Sequence, residues 1–218
     1  MAVSMTYDSL LTDLRAYLER GTVVDTTVYA QLPSLINLAE RQLADSLKLL
    51  GFVEVLSGAM SIGASVIDKP NRWRATISIN FGVGDPALSL QKRTSLFPRS
   101  YEYIRSYWPN SALTGQPKFY AEYDYQHWLV GPTPDLAYPF EVNMWALPAL
   151  LDATNQTNWS TDYAPNALLH GALLQATPFL KNDERIPVWQ GIYDRDCAIL
   201  EAQDVKRIID RTVTRENV

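Results

Sequence analysis

The spacing of apolar residues changes twice along this chain of 218 residues, and these changes constrain the fold more than any other feature. Both ends have the period of helices that bury one face, whereas the middle has the two-residue period of half-buried strands. Helices at the two ends must pack together to bury their apolar faces. We therefore predict an α+β fold: a mainly α-helical bundle of about four helices with a strand-rich antiparallel insertion in the middle of the chain. The helical bundle is expected to be discontinuous, residues 1–51 with 149–218, around a β-rich insertion at 52–148 that includes one short helix.

The first two predicted helices have clear start and stop signals. The first begins near Tyr7 and stops at Gly21. The second begins near Pro33 and continues to Leu50 along a stripe of leucine, isoleucine and alanine. Proline suits the first turn of a helix and glycine suits the position just after its end, so these boundaries have a physical reason.

The last two helices follow the strand-rich middle. Asp162 is the predicted cap of the third helix, Pro165 lies in its first turn, and the apolar stripe continues to Leu180. Apolar residues surround so much of this helix that it must be covered on several sides. A turn at 182–185 precedes a long final helix that is expected to reach about Arg211.

Alternation of apolar and polar residues identifies the strands. Ala75, Ile77, Ile79 and Phe81 alternate with polar residues, which predicts a strand with one buried face. The remaining predicted elements of the insertion are strands at 52–56, 119–123, 127–130 and 138–146 and a short helix at about 100–107.

Charge is unevenly distributed along the chain. The net charge of −5 argues against a protein that wraps nucleic acid, because phosphate binding needs a basic excess. Residues 51–120 carry eight Lys or Arg and four acids, whereas 121–180 carry six acids and no Lys or Arg. Pairing between these stretches, within one chain or between chains, is expected. The predicted inter-subunit residues are Lys92, Arg93, Arg99, Arg105, Lys118, Glu122 and Asp124.

Cysteine content and the absence of long apolar runs indicate the compartment. The single cysteine, Cys197, cannot form an internal disulfide, which is typical of a protein made in a reducing compartment. The first residues do not have the pattern of a secretion signal, and no apolar run is long enough for a membrane span. We expect synthesis in a cytoplasm and no membrane partner.

Residues that could carry chemistry are few and scattered. The two histidines, His127 and His170, lack the spacing to other ligands that a zinc site needs. Glu122 and Asp124 share one face of a strand, an arrangement that could place paired carboxylates, but a solvated acidic face is the more common outcome. We predict no catalytic, cofactor-binding or metal-binding residues and no enzymatic activity; an enzyme that uses Glu122, Asp124 or His127 is the alternative.

Basic and aromatic residues alternate between Arg99 and Trp108. Such a run could form a platform for nucleic acid. Glu102 lies inside the run and the chain as a whole is acidic, so we favour a short amphipathic helix that docks on a sheet or on a partner.

Three segments resemble a known family. Residues Tyr7–Leu14 with Leu32–Leu43, the turn Gly131–Asp135, and the segment from Asn155 to Trp189, which is the most specific, are similar to the head-to-tail adaptors, or connectors, of short-tailed bacteriophages and their relatives. These proteins are also called tail tubular proteins, and the chain resembles their A type. The resemblance covers both ends of the chain and the late middle.

The resemblance implies a helical bundle with a strand-rich insertion, about twelve copies of which form a ring between the portal and the tail nozzle. It implies a structural virion protein at the head–tail junction that extends the DNA channel. The implied partners are further copies of the chain, the portal protein, the tail nozzle or tail tubular protein, and tail fibres or spikes. Genomic DNA would pass through the lumen without specific binding. The alternative is a soluble protein-binding module outside virus assembly that uses the aromatic-rich insertion.

The end of the final helix is the predicted portal-docking element. Its apolar patch is offset from the stripe of Trp189, Tyr193, Cys197 and Leu200, so burying both on one bundle would require the helix to twist. An apolar patch with charged neighbours is typical of an interface. An ordinary frayed terminus is the alternative. The predicted docking residues are Val205, Lys206, Arg207, Ile208, Ile209 and Arg211.

Overall fold

A computed structural model describes residues 5–20, 24–83, 92–179 and 184–209 of the chain. The chain divides into two compact units: a helical unit, Met1–Phe52 with Leu147–Val218, and a sheet unit, Val53–Ala146. The predicted domains, residues 1–51 with 149–218 and residues 52–148, stay a prediction.

Helices lie at both ends of the chain, and the strands lie in the middle with one short helix among them. Along the chain the elements are α1 (Tyr7–Leu18), α2 (Thr26–Tyr29), α3 (Leu32–Ser46), β1 (Val53–Ala59), β2 (Val66–Asp68), β3 (Trp73–Val83), β4 (Lys92–Pro98), α4 (Tyr101–Tyr107), β5 (Thr114–Gly115), β6 (Phe119–Glu122), β7 (His127–Gly131), β8 (Thr133–Pro134), β9 (Pro139–Ala146), α5 (Trp159–Tyr163), α6 (Pro165–Gln175) and α7 (Ile186–Ile209). Short 3₁₀ turns lie at Leu50–Phe52 and Thr177–Phe179.

Helix α1 confirms the first helix prediction. Its N-terminus is closed by a capping box, in which Thr6 and Ser9 each accept the backbone N–H of the other. This reciprocal pair satisfies amide groups that the first turn leaves without a helical partner. The buried residues Leu10, Leu14 and Leu18 form one stripe at helical spacing, which holds the helix against the unit.

Helix α6 lies at the centre of the helical unit. Seven consecutive residues, 167–173, are buried, and the helix packs against α1, α3, α5 and α7. A Cβ atom at Gly171 would lie 3.2 Å from the Tyr193 ring on α7 and 3.4 Å from Ala39 on α3, so glycine permits a close approach on two sides. The prediction of a helix covered on several sides is confirmed.

The predicted cap of this helix is wrong, whereas Pro165 does lie in its first turn. The N-cap of α6 is Ala164 rather than Asp162, and no side-chain hydrogen bond among the described residues closes this end. A separate short helix, α5, comes before it; Asn158 caps α5, and its side-chain oxygen accepts the N–H groups of Ser160 and Thr161. The ring of Pro165 disfavours the helical conformation in Ala164, which separates the two helices.

Helix α3 ends earlier than its leucine stripe predicts. The helix stops at Ser46, and Leu47 has an extended conformation. Leu47 and Leu49 are nevertheless buried, so the loop places on the core the apolar side chains that the prediction assigned to a helix. Gly51 follows, and a Cβ atom there would collide with the indole ring of Trp159, which explains why a residue without a side chain occupies this position.

The sheet unit contains a seven-stranded sheet in the order β1-β9-β3-β4-β6-β7-β2. Strand β9 lies between β1 and β3 and alternates between buried and half-buried residues along its whole length, as predicted. Most neighbours are antiparallel, but β4 pairs with β6 in parallel, with Phe97 opposite Phe119. A separate pair, β5 with β8, is also parallel. The prediction of an antiparallel insertion therefore needs this correction.

The prediction of a mainly α-helical bundle of about four helices is wrong. Of the described residues, 43% are helical and 26% lie in strands, and the seven strands of the main sheet curl into a half-barrel. The physical reason is that the sheet encloses a hydrophobic core of its own, so it is more than an appendage of a helical bundle. Fully buried members of that core include Ile79, Phe81, Trp128, Val130 and Val142.

Candidate interaction surface

Helix α4 docks on the sheet through a single buried residue. The hydroxyl of Ser100 accepts the N–H of Tyr103 and starts the helix. Ile104 packs with Ala121 and Leu129 in a small core, and a Cβ atom at Gly131 would lie 2.8 Å from the Ile104 side chain. The prediction of a short amphipathic helix that docks on a sheet is confirmed. Because only one residue of α4 is buried, most of its side chains are left at the surface.

Two arginines next to α4 stack on aromatic rings. We call the surface formed by Arg99, Tyr101, Tyr103, Arg105 and Tyr123 the arginine–tyrosine face. The guanidinium carbon of Arg99 lies 5.5 Å from the ring centroid of Tyr103, and that of Arg105 lies 5.5 Å from Tyr101 and 6.0 Å from Tyr123. Such contacts fix the orientation of a guanidinium group while leaving its N–H donors available.

The cations of this face have no carboxylate partner in the part of the chain that the structure describes. Arg99 donates to the carbonyl of Pro98 at 3.2 Å, whereas Arg105 has ring contacts alone. Lys118 is exposed at the start of β6. The face therefore presents positive charge and exposed aromatic area together, which is a composition typical of protein interfaces.

The structure does not gather the seven predicted inter-subunit residues into one cluster. Arg93 forms a salt bridge with Glu141 on β9, so one basic residue of the 51–120 stretch pairs with an acid of the 121–180 stretch inside a single chain. Strand β4 begins at Lys92, whose side chain lies outside the described residues. The role of these residues between subunits stays a prediction.

Glu122 is the counter-ion of a buried lysine. The Lys69 side chain is 1% exposed and forms a salt bridge with Glu122. Its Nζ also donates to the carbonyl of Asp124 at 2.7 Å and lies 3.7 Å from the ring centroid of Trp73. Lys69 has no strong signal in the sequence, because it lies in a turn at Asp68–Asn71 and the Glu122 and Asp124 groups that bind its ammonium are more than 50 residues away.

Asp124 and His127 form a local pair in the hairpin between β6 and β7. His127 Nδ1 lies 2.8 Å from both carboxylate oxygens of Asp124. The hydrogen bond with His127 holds the pKa of Asp124 below its ordinary value, the opposite of what a general acid requires. Together with the Lys69 salt bridge, these contacts give Glu122, Asp124 and His127 structural roles, and no geometry here supports the enzyme alternative.

The other chemistry-bearing residues are also held by the fold. His170 is buried on α6, with Nδ1 2.8 Å from the carbonyl of Asn166 and its ring edge-to-face with Tyr17. Cys197 is half-buried, and burial raises the pKa of its thiol.

Within residues 5–20, 24–83, 92–179 and 184–209, no three His, Cys, Asp or Glu side chains are placed to hold a metal ion. Over the same ranges no helix has both the length and the apolar character needed to cross a membrane.

The predicted final helix is present, and Asp204, its last described side chain, forms a hydrogen bond within the helical unit. Helix α7 reaches Ile209, and the carboxylate of Asp204 accepts the N–H of Leu50 at 2.6 Å. Trp189 and Tyr193 of the predicted stripe are buried. The predicted docking side chains Val205, Lys206, Arg207, Ile208 and Ile209, and the whole of Arg211, lie outside the described residues.

Comparison with known proteins identifies the family. The model of the family described as SU10 adaptor protein matches residues 5–215, nearly the whole chain. No curated protein matches the sequence. The match confirms the resemblance, which was seen in the first helices, in the turn at 131–135 and in the segment 155–189. The chain therefore belongs to the SU10 adaptor protein family, a family of phage head-to-tail adaptors with a structural role in the virion.

Proposed function

We propose that the protein is a connector that forms a ring of about twelve copies between the portal and the tail nozzle and extends the DNA channel. The observation that carries this proposal is the match to an adaptor family across residues 5–215. A ring needs two different faces on each subunit, one for each neighbour. Two units of different architecture in one chain are compatible with that requirement.

The charge distribution supports passage of DNA without specific binding. The sheet unit contains eight basic and eight acidic residues, so the net charge of −5 arises entirely in the helical unit. A channel protein with an acidic excess would make few of the phosphate contacts that hold DNA in place. The nozzle, and tail fibres or spikes, are further partners under this proposal.

A ring on the portal is the expected result when the purified protein is mixed with the portal of the same phage. Electron microscopy and mass measurement of the complex should give a ring of about twelve copies. A portal from an unrelated phage is the control, and it should recruit no ring. Protein that stays monomeric in the presence of its own portal contradicts the proposed function.

Truncation after Asp204 tests the proposed docking element, residues Val205–Arg211. The Asp204 carboxylate, which accepts the N–H of Leu50, is retained, so we expect a folded protein that unfolds cooperatively and loses only the helical signal of residues 205–209, but that fails to bind the portal. A chain that lacks only residues 212–218 is the matched control and should still bind. Normal assembly of the shorter chain would show that docking lies elsewhere. Its unfolding would show that the segment belongs to the core.

A further inference from the structure

Strand β1 forms one edge of the seven-stranded sheet, and its outer side is open. The N–H of Met60 donates to the carbonyl of Tyr138 at 2.8 Å, so the even-numbered residues of β1 direct their backbone groups towards β9. The backbone groups of Val55, Ser57 and Ala59 therefore point away from the sheet. They have no hydrogen-bond partner in the part of the chain that the structure describes. A sheet edge of this kind is a template for another strand.

This β1 edge is accessible and lacks the features that protect most edges. Val55 is 57% exposed, and residues 57–59 are also exposed. Because Gly58 has no side chain, its exposed surface is backbone. The strand contains no lysine and no proline, and its one charged residue, Glu54, forms a salt bridge with Arg72. An accessible edge without such protection favours pairing with a strand from another chain.

Part of strand β4 is open in the same way. It pairs with β6 only from Phe97 onwards, so residues 92–96, which we call the β4 stretch, have a described strand on one side only. The N–H of Phe97 donates to the carbonyl of Lys118, towards β6, at 3.0 Å. Alternation along the strand directs the backbone groups of Arg93 and Ser95 to this same side. Both residues are exposed, and these backbone groups have no partner within the described ranges.

The two open edges lie at opposite ends of one row of paired residues. Ser57 of β1 lies opposite Glu141 of β9, and Ser95 of β4 lies opposite Asn80 of β3. Glu141 and Asn80 in turn lie opposite each other. Each of the strands β1, β9, β3 and β4 is antiparallel to the next, so β1 and β4 run in opposite directions. A second copy in the same orientation therefore brings its β1 antiparallel to β4 of the first copy, which continues the pattern of this segment.

We propose that the β1 edge of one copy pairs with the β4 stretch of a second copy. This proposal rests on the ring proposed above and names one of its contacts. The two edges differ in charge, because the β4 stretch contains Lys92 and Arg93, whereas the charged residue of β1 is Glu54. Like charges disfavour pairing of either edge with the same edge of another copy, and opposite charges favour β1 against β4. The contact joins two different surfaces, so it can repeat around a ring.

Proline at an outward-facing position tests each edge. Val55→Pro and Ser95→Pro each remove one N–H that faces away from the neighbouring strand, so the pairing within the chain is retained. Each variant should form about tenfold fewer rings on the portal than the wild type, because the partner strand loses a hydrogen bond and meets the proline ring. Electron microscopy of the complexes counts the rings. Rings that form as in the wild type would overturn the proposal.

An equal mixture of the two variants tests whether the contact joins different edges. Val55→Pro retains an open β4 stretch and Ser95→Pro retains an open β1 edge, so two chains can make one contact but cannot continue it. Sedimentation without portal should show a heterodimer in the mixture and weaker association in either variant alone. The heterodimer would also show that both variants are folded. If Ser95→Pro alone associates as the wild type does, the β1 edge pairs with something other than the β4 stretch, and the proposal is wrong.

Val66→Pro is the matched control, because it removes an outward-facing N–H from β2, at the opposite edge of the sheet. The carbonyl of Ser65 accepts the N–H of Val130 on β7, so the backbone groups of Val66 face away from β7. Strand β2 has three residues, and Asp68 at its end places an exposed charge on this edge. The control should form rings as the wild type does. A loss equal to that of Val55→Pro would contradict the assignment of the β1 edge.

Failure of the proposed function has a different signature. If the wild-type protein forms no ring on its portal, the connector proposal is wrong. Sedimentation without portal then decides the strand contact by itself. Stronger association of the wild type and of the mixture than of either variant alone supports the pairing of β1 with β4, and equal association overturns it.

Discussion

Replacing Glu40 by alanine is expected to lower the free energy of unfolding by about 3 kcal/mol. The Glu40 side chain is fully buried on α3, where Oε2 accepts the N–H of Leu151 at 3.0 Å and Oε1 accepts Nδ2 of Asn158 at 2.5 Å. Alanine would leave the buried N–H of Leu151 without an acceptor and would leave Asn158 Nδ2 with the Ala149 carbonyl as its remaining acceptor. Because Asn158 also caps α5, the loss would reach the start of that helix. Urea denaturation followed by circular dichroism measures the effect.

Glu40→Gln is the matched control for this experiment. The amide preserves the volume of the side chain and one of the two acceptors, so the loss should be smaller, about 1 to 2 kcal/mol. Equal unfolding curves for the wild type and Glu40→Ala would contradict the assigned role of the carboxylate.

Glu40 also predicts a pH dependence of stability. Burial raises the pKa of Glu40 above its ordinary value. A carboxyl group whose pKa is higher in the folded than in the unfolded state stabilises the fold fully below its unfolded pKa, and this contribution is lost as the pH rises through the folded pKa. The stability of the wild type relative to Glu40→Gln should therefore fall as the pH rises from about 4 towards neutrality. A difference that is constant with pH would contradict the shift.

Replacing Trp128 by alanine is expected to destabilise the sheet unit by about 4 kcal/mol. Trp128 lies on β7, is fully buried in the core of the sheet, and donates from Nε1 to Thr76 Oγ1 at 2.8 Å. Alanine would remove a large apolar surface from the core and leave a cavity. The variant lacks a tryptophan, so its fluorescence change on unfolding differs from that of the wild type for a reason unrelated to stability. Circular dichroism is therefore the appropriate measurement.

Two further variants separate the contributions of packing and hydrogen bonding. Thr76→Val preserves shape but leaves the indole N–H of Trp128 without its acceptor, so about 1 to 2 kcal/mol should be lost. Leu136→Ala changes an exposed leucine of the same unit and should alter stability by about 0.5 kcal/mol or less. A cost for Trp128→Ala as small as that of Leu136→Ala would show that the core tolerates its loss.

The helices were predictable where local signals and burial agree. Helix α1 has a stripe and a capping residue in sequence, and α6 has an apolar surface that only a central position can bury. The prediction failed at Leu47 and Leu49, because an apolar side chain can reach the core from a loop as well as from a helix. It also missed the short helix α5 and placed the cap of α6 at Asp162, whereas the N-cap is Ala164, the residue before Pro165.

Strands with two different faces were predictable, and a strand exposed along most of its length was not. Alternation revealed β3 and β9. Among the described side chains of β4 only Leu96 is buried, so its sequence has no period that distinguishes it from a loop, although β4 lies between β3 and β6 in the sheet. Its parallel pairing with β6 depends on tertiary contacts that no local pattern contains. Because β4 was missed, the predicted sheet was too small and too much of the fold was assigned to helices.

The candidate surface was predicted in part. The run from Arg99 to Trp108 indicated an exposed basic and aromatic helix, which α4 is. The contribution of Tyr123 to the arginine–tyrosine face depends on the packing of Ile104 against β6 and β7.

The pairing of β1 with β9 means that the sheet unit begins and ends at the same place. Val53 lies opposite Trp145, and residues paired in this way are about 5 Å apart. The chain thus leaves the helical unit after Phe52 and re-enters it at Leu147 across a gap that a short turn could close. A unit whose two ends are adjacent can be replaced without altering how the flanking segments connect, so replacing the sheet unit by a short turn is expected to preserve the connection between the helices of the helical unit.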